Sequence, residues 1–172
     1  MATATKTVLE QETDTGANSG GMQLVSFSLA DEEYGIEITR IREIILMCEI
    51  TQVPQTPPYV EGLINLRSMV IPVIDLRTRF GIPRGQATSD SRIMVLNVGS
   101  KTIGIVVDAV SEVLRVTNDQ IASPPPTVAG VGREYLTGVV KMKDRLLILL
   151  DVDRIFTEED AQVIEAVTSG LS

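Results

Sequence analysis

Polar and apolar residues alternate along much of this chain with the two-residue period of strands, not the 3.6-residue period of helices. Gln23–Leu29 sets Leu24, Ser26 and Ser28 against Val25, Phe27 and Leu29, which predicts a half-buried strand. Asp31-Glu32-Glu33 predicts a turn, and Tyr34–Ile38 a returning strand. Ile38–Leu46 carries Ile38, Ile41 and Ile45 at a spacing that fits either a short helix or a twisted strand. The stretch GLINLRSMVIPVIDL, Gly62–Leu76, predicts a hairpin with Arg67 at its tip. Its returning half, Val70–Ile74, is apolar at nearly every position, which predicts cover on both faces. Pro72 has no N–H to donate and predicts an edge or a bulge, facing a neighbouring unit. Near the end, Thr157 precedes Glu158-Glu159-Asp160, a capping hydroxyl followed by first-turn acids. AQVIEAVTSG then predicts a short C-terminal helix that stops near Gly170.

The pattern occurs twice. Phe27–Ile45 laid on Leu96–Leu114 puts Gly35 on Gly104, Ile41 on Val110 and Glu43 on Glu112, an offset of 69. Gly62–Phe80 laid on Gly138–Phe156 puts Arg67 on Lys143, Asp75 on Asp151 and Phe80 on Phe156, an offset of 76. The second copy has gained seven residues, around the Pro124-Pro125-Pro126 loop. Each copy holds about five short strands with turn residues between them, the signature of a small β-barrel. Either copy alone buries little apolar surface, so the two are expected to pack together. The expected organisation is a disordered tail over 1–21, a body over 22–156 with repeats at about 27–80 and 96–156, and a helix over 157–172.

Composition narrows the chemistry. Of 172 residues, 44% are apolar but only 3% aromatic, which predicts an aliphatic core and few platforms on which bases could stack. Of the net charge of −8, the first 21 residues carry −2 and residues 157–172 carry −4, leaving a nearly balanced body. Neither part suits a phosphate backbone or an anionic membrane. No signal peptide is visible, and the longest aliphatic run, Leu146–Leu150, is too short to span a bilayer. A soluble cytoplasmic protein is expected.

There is no histidine, which removes the commonest general base and metal ligand. The single cysteine, Cys48, excludes thiolate zinc sites and reads as a buried, inert thiol. GVGREY, Gly130–Tyr135, starts like a dinucleotide fingerprint but lacks its third glycine. No catalytic, cofactor or metal site emerges. The remaining enzymatic alternative is a two-lobed hydrolase using Asp75 and Asp151, but no Thr or Gly flanks them to build a catalytic turn. The plain reading is that both cap turns before Phe80 and Phe156. Glu43 and Glu112 read as solvated charges or as rim contacts of a binding surface. Arg67, at the tip of a dry hairpin, is a candidate anchor.

Four blocks in order carry a resemblance: EYGIEITRIREI, GLINLRSMVIPVIDLR, IGIVVDAVSEVL and EYLTGVVKMKDRLLILLD. They resemble CheW-like domains, the bacterial chemotaxis coupling proteins, from about Met22 to Phe156. The resemblance implies an all-β fold of two SH3-like five-stranded β-barrels packed together, with no catalysis and no cofactor. It implies an adaptor that bridges a CheA-type histidine kinase regulatory domain and the cytoplasmic tips of methyl-accepting chemoreceptors in arrays. It implies a receptor groove between the barrels served by Arg67 and Asn65 of the hairpin and by Glu43, with Ile41 and Val110 as apolar wall. At Ser68 the chain departs from the glycine usual in the family. If that turn needs positive φ, Ser68 is strained or the turn type differs.

Overall fold

The computed structural model describes residues 21–83, 85–123 and 135–169. Residues 1–20 of the tail expected over 1–21, the proline loop and the helix stop at Gly170 lie outside the described residues, and Gly21 belongs to the first strand instead. The first repeat supplies β1 (Gly21–Leu29), β2 (Glu32–Glu37), β3 (Ile41–Leu46), β4 (Val60–Leu66), β5 (Met69–Asp75) and helix α1 (Leu76–Arg79). The second supplies β6 (Arg92–Val98), β7 (Lys101–Val107), β8 (Ala109–Thr117), β9 (Ile121–Ala122), β10 (Leu136–Lys141), β11 (Leu146–Leu150) and α2 (Val152–Ile155). Helix α3 (Glu158–Ser169) follows. The ambiguous segment after β2 resolves into one 3-10 turn, Ile38–Arg40, and then the strand β3.

Two sheets form, in the orders β8-β1-β2-β11-β10-β9 and β3-β6-β7-β5-β4. The expectation that each repeat closes its own barrel is therefore corrected: each sheet takes strands from both. The duplication is nonetheless visible ladder by ladder. Parallel pairing joins Gly35 to Leu149 in the first sheet and Gly104 to Val73 in the second, positions matched by the two offsets. Bulges recur at matched places too. Arg42 in β3 and Ser111 in β8 are each an extra residue, as are Glu61 in β4 and Thr137 in β10. In β1, opposite the Ser111 bulge, the buried Ser26 hydroxyl donates to the Glu112 carbonyl and accepts from the Glu112 N–H, both at 3.2 Å.

Three apolar clusters follow from the sheet faces. One fills the second sheet's interior with Ile45, Ile64, Ile71, Val73, Ile93 and Val95. Another fills the first with Leu24, Val116, Val140, Leu147 and Leu149. The largest lies between the sheets and draws on both. Thus β1 is buried on both faces, Leu24 into its own sheet's interior and Val25, Phe27 and Leu29 into the shared core, rather than half-buried. The interiors are aliphatic, as composition predicts. All three Phe and all three Tyr, however, gather at the shared core, in a string from Phe27 through Tyr34 and Phe80 to Tyr135 with centroids 5.2–5.9 Å apart.

Helix α3 is fastened to the first repeat. Asp160 accepts the Tyr59 hydroxyl at 2.5 Å, pairs with Arg79 at 2.6 Å and accepts the Thr157 N–H at 2.9 Å. Burial opposes the charge on Asp160. The Thr157 backbone, the Tyr59 hydroxyl and the Arg79 cation together outweigh it and hold the carboxyl below its usual range. The Tyr59 hydroxyl is pushed up to about 12, by burial first and then by its bond to Asp160. Arg79 also lies over the Tyr59 ring, 4.2 Å from its centroid.

Candidate functional site at the Arg67 hairpin

Leu66 pairs with Met69, so the β4–β5 turn has two residues, Arg67 at φ 51° and Ser68 at φ 69°. Positive φ at both central positions marks a type I′ turn, whose twist matches that of the flanking strands. Neither residue is glycine, so the turn holds two side chains in the left-handed region against their preference. That answers the question posed by Ser68: the turn type is kept and the strain is accepted.

Pro72 has a related explanation. In a two-residue hairpin the closing pair is hydrogen-bonded and the pairs then alternate. Counting from Leu66–Met69, the Leu63–Pro72 pair is a non-bonded one, so a missing N–H on that side costs nothing. Pairing with β7 starts only at Val73. Pro72 is thus neither on an edge strand nor at a bulge. The expectation that β5 is covered on both faces holds at Ile74, which enters the shared core, and fails toward the tip. Ile71 and Val73 fill the interior, but Val70 is 56% exposed, opposite the exposed Asn65.

Glu43 lies on β3. The bulge at Arg42 turns Ile41 and Ile44 to the shared core and leaves Glu43 on the face of Ile45, toward the second sheet's interior. The carboxylate is 2% exposed, so the readings of Glu43 as solvated charge or rim contact are both corrected. It is buried because Arg67 reaches it with two parallel bonds, Nη1 to Oε2 at 2.5 Å and Nη2 to Oε1 at 2.7 Å. The hydrogen bond and the negative charge of Glu43 raise the affinity of the guanidinium for its proton. Since β3 and β4 are the two ends of the sheet order, this fork ties one edge of the barrel to the other. The isolated bridge between Thr51 and Leu63 closes the same seam further along.

The structure therefore brings Arg67, Glu43 and Asn65 together. Ile41 is 8% exposed within the shared core and has little surface to offer as a groove wall. Val110 sits on β8 in the other sheet, opposite Phe27, half-buried against the same core. The sequence reading missed Val70 and Met69, which flank the tip as exposed apolar side chains. Their signal was the hairpin register, which places Val70 opposite the polar Asn65.

The other candidates resolve simply. Asp75 accepts the Arg77 N–H at 3.1 Å and the Thr78 hydroxyl at 2.9 Å, capping α1. Asp151 accepts the Asp153 N–H at 3.0 Å, capping α2. Asp75 borders a polar cavity of about 130 Å³ with Glu61, Arg77 and Asp108, a lining that does not include Asp151. Cys48 is exposed, not buried, and partial desolvation pushes its thiol up, away from the reactive thiolate. Among the described residues no cluster of three or more His, Cys, Asp or Glu could hold a metal ion. No described helix is long and apolar enough to cross a membrane.

Two barrels sharing a core, with a salt-bridged hairpin at one seam, define a binding module of the class the sequence blocks resemble. The model of the CheW-like domain matches residues 23–160, and the chain belongs to that family. It is 36% identical over 150 residues to the chemotaxis protein CheW of Klebsiella aerogenes, covering 87% of this chain and 90% of that protein. It is 36% identical to CheW of Treponema pallidum, covering 84% and 88%. Among solved structures it is similar to the scaffolding protein TtCheW of Thermoanaerobacter tengcongensis, with a TM-score of 0.76, 36% identity and coverage of 84% and 94%.

Proposed function

We propose that the protein is a non-catalytic chemotaxis adaptor that couples a CheA-type histidine kinase, through its regulatory domain, to the cytoplasmic tips of chemoreceptors. On this reading it works in the cytoplasm and reaches the membrane only through receptor arrays. Family membership supports the scaffold role, and the Arg67 hairpin carries the receptor assignment. A strained turn held by a bidentate bond to a buried carboxylate presents Asn65, Met69 and Val70 on a rigid support. Rigid presentation lowers the ordering cost of binding. Exposed apolar side chains beside an Asn and a half-exposed guanidinium suit the side of a helical hairpin with apolar and acidic positions. Glu43 acts from behind, by fixing Arg67. The hydrolase reading loses its residues, since each aspartate is engaged as a helix cap in a different sheet.

The test is a titration of a receptor-tip fragment against Val70→Asp, Asn65→Ala and Arg67→Ala, each beside its unfolding curve. Val70→Asp is expected to weaken binding about tenfold or more, the effect of removing a central contact. Its unfolding midpoint and its affinity for the kinase regulatory domain are expected to stay unchanged. Wild-type receptor affinity in all three folded variants would remove the hairpin from the receptor face.

A further inference from the structure

The interleaving of the repeats has a consequence for association. Four strand ladders join the first repeat to the second: β1–β8, β2–β11, β3–β6 and β5–β7. Among the described residues, the ion pairs Arg40–Asp153, Arg77–Asp108, Arg79–Asp160 and Arg145–Glu33 cross as well. Against this, each repeat keeps its own hairpins, β1–β2 and β4–β5 in one, β6–β7 and β10–β11 in the other. The covalent connection between them is one segment after α1, in which Gly85–Asp90 form no strand or helix and are exposed throughout. No disulfide fixes which copy of a repeat meets which, since the chain has one cysteine.

We propose that two copies of this chain exchange repeats. The first repeat of one copy closes both sheets with the second repeat of the other, and reciprocally, giving an isologous two-fold dimer. Every ladder and every crossing ion pair is kept, and only the connecting segment changes course. The two forms then differ mainly in where the partner repeat is tethered. A short flexible tether supplies it at an effective concentration in the millimolar range, so dilute folding yields the monomer. Concentrated folding, or a connection too short to turn back, yields the dimer. Each exchanged particle carries two Arg67 hairpins related by one two-fold axis and is bivalent where the monomer is univalent.

The experiment inserts a specific protease site between Gln86 and Ala87 in the full chain. The protein is unfolded, refolded at concentrations from micromolar to millimolar, and its mass measured by light scattering before and after cleavage. The dimer fraction is expected to rise with refolding concentration and to persist on dilution, since reversal requires opening all four ladders. Cutting the connection is expected to drop the dimer to monomer mass with both half-chains still associated. A second variant lacking Gln86–Asp90 is expected to be dimeric at every concentration. Monomer alone in the concentration series overturns the proposal. So does a dimer that survives cleavage, because that is a side-by-side pair. If the deletion variant fails to fold, the insertion variant decides.

Discussion

The two hairpins that close the two barrels occupy equivalent places in the repeat and have taken different courses. At β4–β5 the turn residues Arg67 and Ser68 both have positive φ, and one carboxylate, Glu43, is sealed beneath a single guanidinium. At β10–β11 the equivalent turn residues Lys143 and Asp144 keep negative φ. There Glu112, the counterpart of Glu43, is half-exposed, and Arg145 divides itself among Glu33, Glu112 and Asp144. One seam has a single geometry that excludes water, and the other has a solvated network with several. Exposed pairs of the second kind contribute little and are screened by salt. The pair of hairpins shows that one architecture can be closed either way. What distinguishes the Arg67 seam is a bidentate pair whose carboxylate is buried, where the other seam has a pair open to solvent.

The widest gap between the seams is expected at their glycines. A Cβ on Gly62 would lie 2.3 Å from the Thr51 carbonyl oxygen, a backbone atom that cannot swing aside. On Gly138 it would lie 3.0 Å from the Ala122 oxygen and the Ile121 side chain. Gly62→Ala is expected to cost about 3 kcal/mol in chemical denaturation and Gly138→Ala about 1 kcal/mol. Equal losses would show that the second seam is as tight as the first.

Next come the arginines. Arg67→Ala removes both bonds of the fork from a buried carboxylate, so the unfolding midpoint is expected to fall clearly. Adding Glu43→Gln is expected to restore part of the loss, because the buried charge is gone. Arg145→Ala is expected to leave the midpoint within error, and a large drop there would mean that its network matters more than its exposure indicates.

The acid limb of the stability curve reads the α3 anchor. The folded state holds Asp160 below its ordinary value, so its contribution is present above about pH 4 and is lost as pH falls through the folded value. Asp160→Asn is expected to flatten that limb. At the alkaline end Tyr59 stays neutral to about 12, above an ordinary tyrosine near 10. Its stabilisation is full below about pH 10 and declines between the two values. Tyr59→Phe is expected to remove that part of the decline, read from near-ultraviolet phenolate absorbance beside the unfolding signal. The smallest effect is a gain: Ser68→Gly is expected to add about 0.5–1 kcal/mol by relieving positive φ. Asp144→Gly, where φ is negative, is expected to add nothing.

Much of the fold was legible because repeated constraints leave repeated residues. Gly62 and Gly138 both face a carbonyl of the preceding segment, and Asp75 and Asp151 both cap a short helix, so the match survived in register. Similarity, however, reports which segments are alike and not which ones pair. Nothing in the alternation of β2 states that its neighbour is β11, so the exchange of strands between barrels leaves no mark in the local pattern. Glu43 was misread for a local reason. Counted with period two it shares a face with Ile41, and only the bulge at Arg42 turns the two apart. Val70 was hidden by the opposite problem, an all-apolar run in which no polar residue marks the outer face. Arg67 stood out by its place at the hairpin tip, though its partner inside the molecule, Glu43, did not.

The order of synthesis gives the parallel ladder between β2 and β11 a further meaning. Gly35 leaves the ribosome 114 residues before its partner Leu149. Until that point β2 has one of its two neighbours, and β1 waits for β8 as well. The nascent first repeat can form hairpins on the ribosome but cannot complete either sheet. Pairings so distant in sequence slow folding and leave strand edges open meanwhile. On a crowded polysome those waiting edges belong to several identical chains at once, and translation itself becomes the moment at which the number of copies in the finished particle is decided.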